Sequence, residues 1–185
     1  MKKILTLNNI SSQGLDRLPH DDYEVSSESS APDAILLRSY KMHDMEIPET
    51  LLAVGRAGAG VNNIPLDKMS ERGIAVFNAP GANANAVKEL VVAGMLLACR
   101  NLCQAWDYTN NLKGTDAEIS KAVEEGKKKY VGYELPGRTL GVIGLGAIGV
   151  KVANAAISLG MNVIGYDPGI SVQSAWNLSA DGQAT

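Results

Sequence analysis

Short apolar runs alternate with longer segments of helical period along this chain. Four β-like runs, KILTL at 3–7, AILLRS at 34–39, LLAVG at 51–55 and IAVFN at 74–78, set the rhythm. That rhythm is the one expected of parallel βαβ units. Between the third and fourth runs, PLDKMSERG places Pro65 at a helix start and Gly73 at its stop, predicting a short crossover helix. After NAPGANAN a long helix is expected from about Ala86 past Cys103, with Asn83 or Asn85 as its cap. Its middle is apolar on nearly every side, which predicts a helix clamped between two layers. Thr115 followed by Glu118 is a capping-box pattern and predicts a further helix ending near Gly126. The linker GYELPGR then leads into the last segment, and no internal repeat interrupts the series. The fold class is α/β, in two parts joined near residues 100–138.

The last segment carries the most specific pattern. An apolar strand, TLGVIG, is followed by Gly144, Gly146 and Gly149 in G-x-G-x-x-G spacing, then by a helix and a second strand, NVIGYD. The first glycine permits a tight turn, the second lets a pyrophosphate approach the backbone, and the third lets helix and strand pack closely. Free N–H groups and partial positive charge at the helix start suit phosphate. Asp167, 23 residues beyond Gly144, stands where a carboxylate accepts from ribose hydroxyls and repels a 2′-phosphate. The pattern therefore predicts a dinucleotide site of β-α-β form, with NAD favoured over NADP. No Gly-Lys-Ser/Thr follows the glycines, so it is not a P-loop.

In an open parallel sheet ligands bind beyond the carboxyl ends of the strands. Two loops of the first part fall there. GRAGAGVNN, residues 55–63, offers three glycines whose amides are expected to form an anion-binding nest beside Arg56. NAPGANAN, residues 78–85, leads toward the long helix and is a second candidate contact.

Composition narrows the classes. Of 185 residues 45% are hydrophobic, and a net charge of −3 without a basic face argues against a nucleic-acid partner. Lys127–Lys129 follow Glu124 and Glu125 and read as a solvated surface. The N-terminal apolar run is too short for a signal peptide and the run at 90–99 too short to span a bilayer, so cytoplasm is the expected location. Cys99 and Cys103 have no second pair with which to form a metal site and are expected to be packed free thiols. His20 and His43 both fall in expected loops of the first part.

With GRAGAGVNNI, GIAVFNAPGANANAVKELV and LPGRTLGVIGLGAIG…GYDP in this order, the chain resembles the D-isomer-specific 2-hydroxyacid dehydrogenases. The resemblance implies a flavodoxin-like, parallel-sheet substrate-binding domain over 1–100. It implies, over 101–185, a helical dimerisation region and the start of a Rossmann NAD-binding domain, and hence a homodimer. Arg56, Ala57, Gly58, Ala59, Gly60 and Val61 would hold a small anionic substrate, a phosphorylated 2-hydroxy acid. Ala79, Gly144, Gly146, Ala147, Ile148, Gly149 and Asp167 would line NAD. Such enzymes pass a hydride to NAD while a His takes the hydroxyl proton, an Arg polarises the carbonyl and a Glu or Asp tunes the His. The resemblance puts those three beyond the second Rossmann strand, so no catalytic residue is expected within this chain, which reads as a truncated, inactive portion. The competing expectations are a dehydrogenase of another D-2-hydroxy acid and a non-catalytic NAD-binding or dimerising scaffold.

Overall fold

All four apolar runs of the first part become strands: β1 (Lys2–Leu7), β3 (Ala34–Leu37), β4 (Ala53–Arg56) and β5 (Ala75–Phe77). The structure, a computed structural model, describes residues 1–179 and the backbone of 183–184. It adds β2 (Tyr23–Ser26), which the pattern did not predict because its residues are mixed and only half-buried. The short α1 (Ser12–Leu15) joins β1 to β2. All five strands are parallel in the order β2-β1-β3-β4-β5, the flavodoxin-like arrangement.

Ile35, Leu37 and Val54 are fully buried in the central strands and pack with Leu5, Met42 and Met69. Each such side chain contributes roughly 1.5–3 kcal/mol relative to exposure. The crossover helix α2 (Leu66–Glu71) follows Pro65, buries Met69, and stops at Gly73, whose φ of 66° few other residues adopt without strain. At the amino ends of the strands, Lys2 Nζ reaches Asp33 Oδ1 at 2.6 Å and the Lys3 amide donates to Oδ2 at 2.8 Å. These two contacts, the lysine first, hold the Asp33 carboxyl below its ordinary pKa.

The chain divides into Met1–Asn83 and Ala84–Thr185. The helix expected near residue 86 falls in the second unit, because α3 (Ala84–Cys99) packs along α6 (Ala147–Ser158). The expected boundary at residue 100 thus lies inside that unit. The predicted single helix is in fact two. Asn101 takes the left-handed conformation, φ 52°, and α4 (Leu102–Asn110) starts afresh after it. Residues returning from the linker close the gap: the Tyr133 amide donates to the Cys99 carbonyl at 2.9 Å, and Asn101 Nδ2 donates to the Val131 carbonyl at 3.2 Å. Nor is α3 clamped on all sides. Only Ala84 and Cys99 are buried, and Leu90 is 73% exposed. Asn85 lies within α3, bonded to Glu89. Cys99 is buried as expected, whereas Cys103 is exposed.

The helix α5 (Asp116–Gly126) carries the predicted capping box, with the Glu118 carboxylate accepting from the Thr115 amide at 2.8 Å. That bond lowers the Glu118 pKa. The three lysines continue as an exposed 3₁₀ turn over 127–130. Then come β6 (Thr139–Ile143), α6, β7 (Asn162–Tyr166), α7 (Val172–Trp176) and β8 (Gln183–Ala184). The second sheet is parallel, β6-β7-β8, one strand more than the expected β-α-β. On α6 Ala153 and Ala156 face Val163, giving this unit its own small core. Among the described residues no helix is long and apolar enough to cross a membrane.

Candidate functional site

In the second unit the glycine motif forms the turn between β6 and α6. Gly144 has φ 90°, and its amide donates to the Tyr166 carbonyl at 2.8 Å, tying the end of β6 to the end of β7. A Cβ at Gly149 would lie 3.0 Å from the Gly144 carbonyl carbon and closer still to its oxygen. Helix and turn therefore meet backbone to backbone, and only hydrogen fits. A Cβ at Gly146 would meet nothing within 4 Å. The same absence of a side chain thus closes a contact at Gly149 and leaves open space at Gly146. No side chain caps α6 at Gly146, so the amides opening the helix at Ala147 and Ile148 keep the unpaired character of a helix start.

Asp167 lies at the rim of this turn. Its Oδ2 accepts from the Leu145 amide at 2.7 Å and its Oδ1 from the Gly169 amide at 2.9 Å. The carboxylate is aimed at the glycine bend, and each oxygen retains lone-pair capacity for a further donor. A diphosphate fits the open side of Gly146 on chemical grounds, since anion, exposed amides and helix dipole are complementary.

In the first unit, the loops after β4 and β5 meet at the carboxyl ends of the strands. The Ala79 amide donates to the Gly58 carbonyl at 3.0 Å and Asn78 Nδ2 to the Ala59 carbonyl at 2.6 Å. A cavity of about 240 Å³ beside them is lined by Ile10, Leu36, Arg56, Phe77 and Asn78. Arg56 is half-buried and turned onto its own loop: Nε donates to the Arg38 carbonyl at 3.0 Å, and Nη1 to the Gly60 carbonyl.

The expected glycine nest takes a different form. Neither Gly58 nor Gly60 has a positive φ, and the Ala57 and Gly58 amides are used by the Leu37 and Arg56 carbonyls. These glycines serve to admit the guanidinium. A Cβ at Gly60 would lie 2.9 Å from Arg56 Nη1, and one at Gly58 3.4 Å from its Cζ. Arg56 still has three of its five donors for an anion. The backbone from Ala59 to Val61 lies beside it.

The structure thus gathers Arg56, Ala57, Gly58, Ala59, Gly60, Val61 and Ala79 in the first unit. Gly144, Gly146, Ala147, Ile148, Gly149 and Asp167 gather in the second. His20 is exposed in a turn, and the His43 ring bonds through Nε2 to the Asn62 carbonyl at 2.9 Å. Sequence reasoning missed Asn78 as the bridge between the two loops, and Asn63, buried behind them. No local pattern marks either one.

The family described as D-isomer specific 2-hydroxyacid dehydrogenase, catalytic domain, matches residues 7–178. A D-3-phosphoglycerate dehydrogenase of Archaeoglobus fulgidus is 36% identical over 94% of this chain and 33% of its own length. One of Methanocaldococcus jannaschii is 43% identical over 74% of this chain and 24% of its own. Among solved structures, an NAD⁺-bound 3-phosphoglycerate dehydrogenase of Entamoeba histolytica superposes with a TM-score of 0.67 at 25% identity, covering 94% of this chain and 56% of that one. The apo D-mandelate dehydrogenase of Rhodotorula graminis shares the fold, with a TM-score of 0.73 at 22% identity over 100% of this chain and 60% of its own. The chain spans about a quarter to a third of these curated relatives and under two thirds of the solved ones. On the family match across nearly its whole length, the chain belongs to the D-isomer-specific 2-hydroxyacid dehydrogenases.

Proposed function

We propose that this chain is the part of an NAD-dependent D-3-phosphoglycerate dehydrogenase that grips the substrate's anionic end and the adenosine diphosphate half of NAD. The whole enzyme oxidises D-3-phosphoglycerate to 3-phosphohydroxypyruvate, the entry to serine biosynthesis, and the nicotinamide of NAD receives the hydride. The observation that carries the cofactor reading is the Asp167 carboxylate aimed at a glycine turn whose Gly146 side stands open. A carboxylate beside the adenosine ribose disfavours a 2′-phosphate, which supports NAD over NADP. The substrate reading is supported by the free donors of Arg56 and by relatives named as D-3-phosphoglycerate dehydrogenases.

Neither histidine is offered as the proton acceptor, since His20 is exposed in a turn and His43 is engaged with Asn62. The residues gathered in the two units are accordingly read as holding substrate and cofactor, not as moving the proton. The apolar residues exposed along α3 and α4, with Leu90 at 73% and Trp106 at 69%, support homodimerisation there. Calorimetric titration of the chain with NAD, NADP and 3-phosphoglycerate tests the reading. NADP binding as tightly as NAD would refute the role given to Asp167. A second substrate reading, another D-2-hydroxy acid, is favoured by a hydroxypyruvate reductase of Thermotoga maritima, 42% identical over 67% of this chain and 37% of its own length. Competition between 3-phosphoglycerate and glycerate separates the two.

A further inference from the structure

We infer that Asn63 is the positioning residue of the anion loop: its side-chain amide fixes the carbonyl on which Arg56 rests, and so sets where the guanidinium points. Among the described residues Asn63 is the one buried polar side chain, 7% exposed, and it lies at the end of the glycine loop. Its Nδ2 donates to the Tyr40 carbonyl at 2.7 Å and to the Arg38 carbonyl at 3.3 Å. The Arg38 carbonyl is the same atom that accepts from Arg56 Nε at 3.0 Å. One carbonyl oxygen, with two lone pairs, thus joins Asn63 to Arg56. The main chain repeats the link, since the Met42 amide donates to the Asn63 carbonyl at 2.8 Å. Segment 38–42, which follows β3, is in this way fastened to the loop that follows β4.

The cost of the arrangement shows what it is for. Among the described residues Asn63 Oδ1 is buried without a partner. Buried polar atoms are almost always paired, and an orphan marks a place where another requirement dominates. Here the requirement is two donors facing two carbonyls at the base of the loop. A carboxamide is the only short side chain that supplies two N–H groups from one atom, and the oxygen comes with it. An apolar residue of equal size would fill the core as well, and would leave the carbonyl that aligns Arg56 free to move. Arg56 has one other anchor, the Gly60 carbonyl of its own loop.

This inference rests on the reading of Arg56 as an anion-binding residue, and its test needs no ligand. In the 185-residue protein, hydrogen exchange of the Arg56 Nε–H is followed by NMR in wild type and in Asn63→Leu, which keeps the branched heavy-atom shape and removes both donors. The expected result is exchange about tenfold faster at Arg56 Nε, with the backbone amides of Ile35 and Val54 unchanged. Equal exchange at Arg56, or acceleration shared with those core amides, overturns the positioning role. Should Asn63→Leu fail to fold, the wild-type side-chain NH₂ of Asn63 decides. Slow exchange relative to the exposed Asn9, whose side-chain amide has no partner among the described residues, supports the bonds, and equal exchange refutes them.

Binding of 3-phosphoglycerate then separates the two ideas. Asn63→Leu and Arg56→Ala are each expected to weaken it, with no further loss in the double variant. If wild type does not bind 3-phosphoglycerate, the substrate reading falls, while the exchange comparison still decides the role of Asn63.

Discussion

Gly149→Ala and Gly146→Ala place the same methyl group three residues apart, and the structure predicts opposite outcomes. At Gly149 the new Cβ would press on the Gly144 carbonyl, 3.0 Å from its carbon, and on Val142 Cγ1 at 3.4 Å. Because the nearest obstacle is backbone, no rotamer change relieves it and the turn must shift. Overpacking of this kind costs about 1–3 kcal/mol, and an unyielding neighbour argues for the upper end. Alanine returns up to about 1 kcal/mol through helix propensity, leaving a net loss near 2 kcal/mol. For a unit of this size that lowers Tm by roughly 10 °C. At Gly146 the φ of −75° and ψ of −163° suit alanine and its Cβ meets nothing, so stability should stay within about 0.5 kcal/mol. The methyl would instead occupy the space assigned to the diphosphate, weakening NAD at least about tenfold, or ~1.4 kcal/mol. Thermal melts followed by circular dichroism, with NAD titration of each variant, measure both. A Gly149→Ala protein that melts with wild type, or a Gly146→Ala protein that binds NAD normally, refutes the reasoning.

Other outcomes follow from the same geometry. Arg56→Ala should reduce 3-phosphoglycerate affinity by about tenfold or more while NAD binding is retained, because the groups assigned to the cofactor's diphosphate and ribose are the glycine turn and Asp167; calorimetry reads both. Asp167→Ala should erase discrimination against NADP and destabilise the turn by about 1–3 kcal/mol, since the Leu145 and Gly169 amides lose their acceptor. The lowered pKa of Glu118 means that its contribution to α5 is complete above the ordinary carboxylate value and disappears as pH falls through the lowered one. The protection factor of the Thr115 amide, its exchange rate relative to the intrinsic rate at the same pH, should therefore fall in acid, and Glu118→Gln should flatten that dependence.

What the sequence disclosed is what lies close together in it. The glycine turn, the Pro65 start and Gly73 stop of α2, and the Thr115–Glu118 box each involve residues a few positions apart, so the residue types alone define them. The break between α3 and α4 was illegible because its cause is distant: residues 131–133 return to the Cys99 carbonyl and to Asn101. The edge strand β2 hid for another reason. It pairs with β1 alone and needs no continuous apolar run. In the anion loop the glycines were legible as special but their role was not. It depends on an arginine folding back over them, and on Asn63, whose partners lie 23 and 25 residues away.

The two bonds accepted by Asp167 tie cofactor choice to architecture. A lineage drifting toward a phosphorylated adenosine must discard the very carboxylate that keeps the Leu145 amide satisfied. Any successor at this position therefore inherits a second duty, and the accessible routes to NADP run through residues that still present an oxygen to that amide, with a compensating cation recruited from elsewhere on the rim.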